Sequence, residues 1–426
     1  MTDVITARAF AGKHYAVLGL ARSGLATVEA LLASGARVTA WDDREEAREK
    51  LLLGEKLLVA DFTTADLTQF DSIVVTPGLP LNRHPIAQRA REASVEIIGD
   101  IELFARARAE LPPHRVVGIT GTNGKSTTTA LIHHILKSAG IATEMGGNIG
   151  LPILAQDPLP EGGVYVLELS SYQIDLTQSL DCDVAVLLNI TPDHLDRYES
   201  FQAYAYSKTR LLVGARVSVV NWRNLEDLGF VTLDPDGSDG IPSVSPESQA
   251  LWPALQGPHN AQNAGAAIQV CRFLGLDAED IEKGLRTYPG LPHRMERVRE
   301  KDGVLFVNDS KATNPTATAP ALAAFPKIRW ILGGQAKTDK LDECAPYFGH
   351  VVKAYTIGEA GEMFASLLSP HMAVAECVTL AQAVRAAASE AEAGETVLLS
   401  PACASFDQFR DFEARGDAFR VLVGEL

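Results

Sequence analysis

Short apolar runs alternate with stretches whose apolar residues recur at helical spacing, and the alternation persists along the whole chain. Tyr15, Ala16, Val17 and Leu18 form one run, Val28, Leu31 and Leu32 mark a helix, and residues 37–42 form a second run, which together predict a βαβ unit. Further strands are predicted at 72–76 and 95–98, so the first block reads as a small doubly wound domain ending near Leu103. A second block opens with the run Val116, Val117 and Ile119 and a helix carrying Leu131, Ile132, Ile135 and Leu136. Strands at 164–167 and 184–189 and a helix at 201–213 follow. Residues 216–257 are rich in Gly, Pro, Ser and Asp with only short β-like runs, and are expected to be a variable insertion. Residues 260–270 predict a helix of small residues. From Leu291 a third block alternates again, with strands at 304–308, 328–332, 354–357 and 396–399. The pattern predicts an α/β protein of three domains, residues 1–103, 104–290 and 291–426.

The turns after these strands carry the candidate chemistry, because ligands of open parallel sheets gather at the carboxyl ends of strands. The most specific lies at residues 116–136, where a strand runs into a loop bracketed by Gly121 and Gly124, then Lys125 and Ser126, then a helix. Such a loop lets backbone N–H groups converge on phosphate oxygens, with the helix N-terminus adding favourable partial charge. Lys125 would reach the β/γ-phosphates and the Ser126 or Thr127 hydroxyl would ligate Mg²⁺, although the first glycine of the strict motif is replaced by Ile119. The first block has a weaker signal: Gly19, Ala21 and Gly24 keep the outer glycines of a dinucleotide fingerprint but lose the middle one. With Asp42 placed to hold a ribose hydroxyl, a non-redox nucleotide diphosphate is favoured over nicotinamide. Glu168 ends an apolar strand beside the phosphate loop, where a carboxylate either ligates metal or caps the next helix. His194, between Asp193 and Asp196 in a loop at the same edge, reads equally as structural or functional. Lys208 reads by composition as a surface lysine on a helix. Asn260 and Asn263 suit an adenine edge or helix capping alike.

Composition narrows these readings. The chain has 426 residues, 46 % hydrophobic and 22 % charged, as in soluble globular proteins of two to four domains. A net charge of −16 argues against broad binding to nucleic acid or to an anionic membrane surface. The five cysteines lie far apart with no CxxC pair, so neither a zinc site nor a disulfide framework is expected. No leader pattern and no membrane-spanning run stands out, and a cytoplasmic location is expected.

Six segments in chain order, 121–127, 167–171, 193–196, 257–263, 291–294 and 308–314, together with 400–409, resemble the Mur ligases of peptidoglycan synthesis, and among them the members that add D-glutamate. The resemblance implies an N-terminal Rossmann-like domain, a central P-loop ATPase-like parallel-sheet domain and a C-terminal Rossmann-like domain. It implies an ATP-dependent ligase that activates UDP-N-acetylmuramoyl-L-alanine as an acyl phosphate and joins it to D-glutamate. By the same resemblance, ATP is held by Thr122, Asn123, Gly124, Lys125, Ser126, Thr127 and Thr128, with Asn260, Asn263, Arg294, Asp309 and Lys311. Two Mg²⁺ ions are expected among Ser126, Thr127, Glu168, His194 and Lys208, the last as a carbamate. Lys125, His194 and Lys208 are the expected catalytic residues. Ser23, Asp42, Arg44, Thr76 and Gly78, with Gly147 and Asn148, would hold the UDP part. Thr313, Lys337, Ser405 and Phe412 would hold D-glutamate. A monomer is expected, with no nucleic-acid or membrane partner.

Overall fold

A computed structural model describes residues 4–51, 55–193, 196–221 and 239–426. Among the described residues the strands form three sheets. The first contains β1 (His14–Leu18), β2 (Arg37–Trp41), β3 (Leu57–Val59), β4 (Ser72–Val75) and β5 (Glu96–Ile98). All are parallel in the order β3-β2-β1-β4-β5. The order reverses between β1 and β4, which opens a crevice at their carboxyl ends. Gly19 and Thr76, the residues that follow these two strands, therefore lie at the switch point.

The second sheet contains β6 (His114–Thr120), β7 (Thr143–Gly147), β8 (Gly163–Glu168), β9 (Val184–Leu187), β10 (Val217–Val220) and β11 (Asp239–Gly240). It is parallel in the order β11-β10-β9-β6-β8-β7. β6 lies between β8 and β9, so the loop that leaves β6 is flanked by the residues ending those two strands. β10 corrects one expectation: residues 217–220 are a strand of the central sheet, not part of a variable insertion. A four-residue strand gives too short a run to stand out beside Gly- and Pro-rich sequence.

The third sheet contains β12 (Glu296–Lys301), β13 (Val304–Asn308), β14 (Ile328–Gly333), β15 (Val351–Ile357), β16 (Ala373–Val378) and β17 (Thr396–Leu399). Its order is β12-β13-β17-β14-β15-β16, with β12 antiparallel to β13 and the others parallel. β17 enters between β13 and β14, bringing Ser400 beside the turns that begin at Asp309 and Gly334.

The chain divides into two compact units. One comprises the chain up to Pro242 with Gly265–Gly284 and carries the first two sheets; the other comprises Ser243–Ala264 with Leu285–Leu426 and carries the third. Residue 103, the expected first limit, lies inside the helix Asp100–Ala107. That helix buries Ile101, Leu103, Phe104 and Ala107 in one apolar cluster with Val17, Val28 and Leu31 of the first sheet's layer and Val116, Tyr165 and Leu167 of the second sheet. Glu102, fully buried, accepts from the Gln178 and Ser179 N–H groups at 2.7 and 2.9 Å and from Arg106 Nε at 2.8 Å. Among the described residues no helix is long and apolar enough to cross a membrane.

Candidate active site

The phosphate loop is built from three strand ends. Gly121 has φ of +152° and Gly124, which precedes the helix Lys125–Ser138, has φ of +87°, a backbone that a side chain would strain. Asn189, just beyond β9, clasps the loop reciprocally: its Oδ1 accepts from Asn123 N at 2.9 Å and its Nδ2 donates to Asn123 O at 3.0 Å. Thr122 turns inward, its Oγ1 3.0 Å from Tyr204 Oη and 3.2 Å from Thr191 O. Lys125 folds back so that Nζ donates to Gly121 O at 2.9 Å and Thr122 O at 2.8 Å. Ser126 is buried and Thr127 half-buried at the helix start, whereas Thr128 Oγ1 is buried with no hydrogen-bond partner among the described residues. Sequence reasoning missed Asn189; a polar residue directly after an apolar strand beside this loop was the available signal.

Lys208, expected at the surface, is buried at 2 % exposure on the helix Phe201–Thr209. Its Nζ donates to Gly121 O at 2.9 Å, so two lysine ammoniums share one carbonyl. Burial lowers the Lys208 pKa from 10.5 to about 7, the Lys125 charge pushes the same way, and Asp193, Asp175 and Glu168 oppose it. A lysine of this kind spends much of its time as a neutral amine near neutral pH.

Glu168 is buried at the end of β8. Its Oε1 accepts from Asn148 Nδ2 at 3.0 Å, while Oε2 is buried with no hydrogen-bond partner among the described residues. An ordinary native structure leaves few such oxygens unsatisfied, and a hard cation is the partner a carboxylate oxygen suits. The residues present thus fit Mg²⁺. Among the described residues no three His, Cys, Asp or Glu cluster around one point. Hydroxyls and phosphate oxygens are the further ligands usual for this ion. His194 lies outside the described residues. Gly147, with φ of +86°, would place a Cβ 2.1 Å from Glu168 O. Gly147→Ala is accordingly expected to cost about 1–3 kcal/mol and to lower turnover by shifting Glu168, which thermal melting and an activity assay would register together.

At the first sheet's switch point, a Cβ on Gly24 would lie 1.9 Å from Gly19 O, so the two backbones touch where the fingerprint glycines were expected. Asp42 is engaged by its own protein: Oδ2 accepts from Leu20 N at 2.8 Å and Oδ1 from Arg44 N and Nε at 3.0 and 3.1 Å. Those bonds, led by the Arg44 side chain, hold its pKa at about 2. The carboxylate shapes the loop after β1, and the Arg44 side chain stays mostly exposed. Ser23 is half-buried in the helix Arg22–Ala33, and Thr76 and Gly78 form the turn after β4. Asn148 pairs with Glu168, so one residue links the candidate UDP and metal groups.

The second unit carries the remaining candidates. Asp309 is buried, with Oδ2 accepting from Ser400 Oγ at 2.8 Å and Oδ1 from Met295 N at 3.1 Å; burial pushes its carboxyl up to about 7. Lys311 Nζ lies 3.9 Å from the Phe412 ring centroid, and Lys311 N donates to His293 O at 3.0 Å. The Arg294 N–H donates to Leu291 O at 3.2 Å, which closes the turn before β12. Arg415 is 1 % exposed and anchors this edge, donating to Ser310 Oγ and Ser310 O at 2.9 Å and to Cys403 O at 3.1 Å. Ser405 is buried, Thr313 and Phe412 are half-buried and Lys337 is exposed. Asn260 and Asn263 are buried on the helix Pro258–Phe273, with Asn263 Nδ2 3.1 Å from Asn260 Oδ1. The division into compact units runs through this helix between Ala264 and Gly265, which leaves both asparagines on the side of the second unit. Sequence reasoning missed Arg415, since nothing in a helical arginine announces burial.

Three family models match in chain order: "Mur ligase MurD-like, N-terminal domain" over residues 13–99, "Mur ligase middle domain" over 119–228 and "Mur ligase, glutamate ligase domain" over 293–403. A relative in Novosphingobium aromaticivorans, named UDP-N-acetylmuramoylalanine–D-glutamate ligase, is 61 % identical across 99 % of this chain and 97 % of its own. A relative of the same name in Zymomonas mobilis is 54 % identical across 99 % of this chain and 100 % of its own. Among solved structures, the MurF ligase of Thermotoga maritima in complex with ADP shares the fold at a TM-score of 0.59 and 17 % identity, covering 100 % of both chains. With three matches spanning most of its length and relatives this similar from end to end, the chain belongs to the Mur ligase family.

Proposed function

We propose that the protein joins D-glutamate to UDP-N-acetylmuramoyl-L-alanine, converting ATP to ADP and phosphate, in the synthesis of peptidoglycan precursors. The observation that carries this reading is identity of 54–61 % over 99 % of the chain to relatives bearing that activity as their name. The site supports it: a phosphate loop, two lysines and a buried carboxylate meet at one sheet edge.

In this reading residues 1–103 form a Rossmann-like domain for the UDP part, 104–290 the ATP domain and 291–426 a second Rossmann-like domain for the amino acid. Ser23, Asp42, Arg44, Thr76 and Gly78, with Gly147 and Asn148, orient the UDP-sugar. The loop 122–128 wraps the ATP phosphates, while Asn260, Asn263, Arg294, Asp309 and Lys311 hold the rest of the nucleotide. The alanyl carboxylate attacks the γ-phosphorus, the bond to the ADP oxygen breaks, and an acyl phosphate forms. Lys125 supports the charge on the transferring group, so catalysis at this step is positioning and electrostatics. Glu168, the Ser126 and Thr127 hydroxyls, His194 and a carbamate on Lys208 would hold Mg²⁺, which when bound neutralises phosphate charge. Thr313, Lys337, Ser405 and Phe412 hold D-glutamate, whose neutral amine then attacks the acyl carbon and expels phosphate. His194 is a candidate acceptor for the amine proton.

ADP release with UDP-N-acetylmuramoyl-L-alanine, comparing D-glutamate, L-glutamate, L-alanine and diaminopimelate, tests the reading. Release that depends on D-glutamate is expected; dependence on another amino acid, or calorimetric binding of NADH in place of the UDP-sugar, would overturn it.

A further inference from the structure

One contact within the first unit is not used by the chemistry above. Arg197 lays its guanidinium over the Tyr172 ring, 4.3 Å from the centroid. It donates through Nη1 to Gly78 O at 3.3 Å and through Nη2 to Leu79 O at 2.8 Å. One residue earlier, the Asp196 carbonyl accepts from Asn82 Nδ2 at 3.1 Å and Arg83 Nη2 at 3.2 Å. One residue later, the Tyr198 ring stacks on Tyr172 at 6.0 Å and its hydroxyl donates to Asp175 Oδ2 at 2.8 Å. The same hydroxyl lies 3.4 Å from Ser207 Oγ, which donates to Ser171 O at 3.1 Å. Ser207 immediately precedes Lys208, and Ser171 opens the helix that follows Glu168.

At its start the turn after β4 is tied to β1 by Thr76 N, which donates to Leu18 O at 3.2 Å, and Leu79 packs on the apolar cluster of Ala16 and Leu18. Gly78 is exposed, with open space where a Cβ would stand, and inside the turn Leu79 N donates to Thr76 O at 3.0 Å. Beneath it lies a cavity of about 130 Å³ lined by Pro77, Leu79, Tyr172, Arg197 and Tyr198. A cation on two consecutive carbonyls is a charge-assisted restraint of fixed geometry, which a lysine reproduces only in part.

We propose that Arg197 is a positioning residue that fixes the 76–79 turn of the first sheet to the segment leading into the Lys208 helix, so that UDP-substrate binding and Mg²⁺ use are coupled through it. The inference rests on the functional reading above, which places UDP-sugar at that turn and Mg²⁺ beside Lys208. If binding at one site alters affinity at the other through this shared element, the effect is reciprocal.

The test compares wild type with Arg197→Met, which keeps an unbranched side chain against Tyr172 but no donors, and with Arg197→Lys. Calorimetry with UDP-N-acetylmuramoyl-L-alanine in metal-free buffer should show about tenfold weaker binding in Arg197→Met, the loss of two charge-assisted hydrogen bonds discounted for solvent exposure. The Mg²⁺ concentration for half-maximal turnover should rise with it, KM for D-glutamate should stay unchanged, and Arg197→Lys should recover part of both losses. Two results would overturn the inference: both quantities within twofold of wild type in folded Arg197→Met, or a loss spread evenly over all substrates that follows a fall in melting temperature. Wild-type protein that fails to bind the UDP-substrate would overturn the functional reading and this inference with it; normal wild-type binding with an unaltered variant overturns this inference alone.

Discussion

Lys125→Ala is expected to lower kcat by on the order of 10³-fold or more, because the ammonium that supports charge on the transferring phosphoryl group is lost. The side chain is half-buried and bonds to two carbonyls of its own loop. With alanine, the Gly121 carbonyl keeps its bond from Lys208 and only the Thr122 carbonyl, on a half-buried residue, loses its lysine partner, so the stability cost should stay within about 1 kcal/mol. ADP formation by stopped-flow and thermal melting measured on the same preparation separate the two effects. Near-normal ADP formation by folded Lys125→Ala would remove the lysine from the mechanism.

Lys208→Ala should lose most activity, and a small carboxylic acid filling the vacancy should restore part of it. The reasoning starts from burial. An ammonium held at a pKa of about 7 is readily neutral. Only the neutral amine attacks dissolved CO₂, forming an N–C bond and releasing a proton, and the carbamate offers hard oxygen ligands. Lys208→Arg should be as inactive as alanine, because arginine stays a cation. Full activity in Lys208→Arg would refute the carbamate. The group also carries a pH signature. Between about pH 7 and 10.5 the folded state binds fewer protons here than the unfolded chain, so unmodified Lys208 makes stability rise with pH across that window. Below it the penalty for burying the charge is present in full. Lys208→Ala should flatten this slope in urea titrations run at successive pH values.

These two lysines show how much of the site was legible beforehand. Lys125 was readable because glycines, lysine and a helix start stand next to one another in sequence, and the phosphate cradle is a local structure. Lys208 was singled out only through the family resemblance and not by its own surroundings in sequence, because what distinguishes it is the packing of Tyr204 and the Gly121 carbonyl around it, 87 residues away for the latter. Apolar strands such as β8 and β17 were plain in the sequence, being fully buried runs. β12 was not: Glu296–Lys301 is almost wholly charged and holds its place by pairing antiparallel with β13 at the edge of the sheet. Asn189 and Arg415 follow the same rule. Each acts on backbone atoms distant in sequence, and residue type alone carries no mark of that. Asp42 stood out in the sequence by analogy with dinucleotide folds, whereas the bonds its oxygens accept from Leu20 and Arg44 are a local arrangement visible only once the loop is folded.

The helix Asp100–Ala107 gives the first unit a thermodynamic property that its division into sheets conceals. Phe104 meets Tyr165 edge-on at 5.0 Å, and the turn Ile153–Ala155 packs on both that helix and the helix Arg22–Ala33. One face of the first sheet, covered by the helix Arg22–Ala33, therefore shares its apolar cluster with the second sheet, and losing the second sheet would expose part of that cluster to water. Melting of either half exposes the apolar surface of the other, which ties them into a single cooperative transition. A ligand gripped by one half then protects both, by an amount that grows as RT ln(1 + [L]/Kd). Nucleotide on the phosphate loop would thus harden the UDP-sugar crevice against unfolding without touching it.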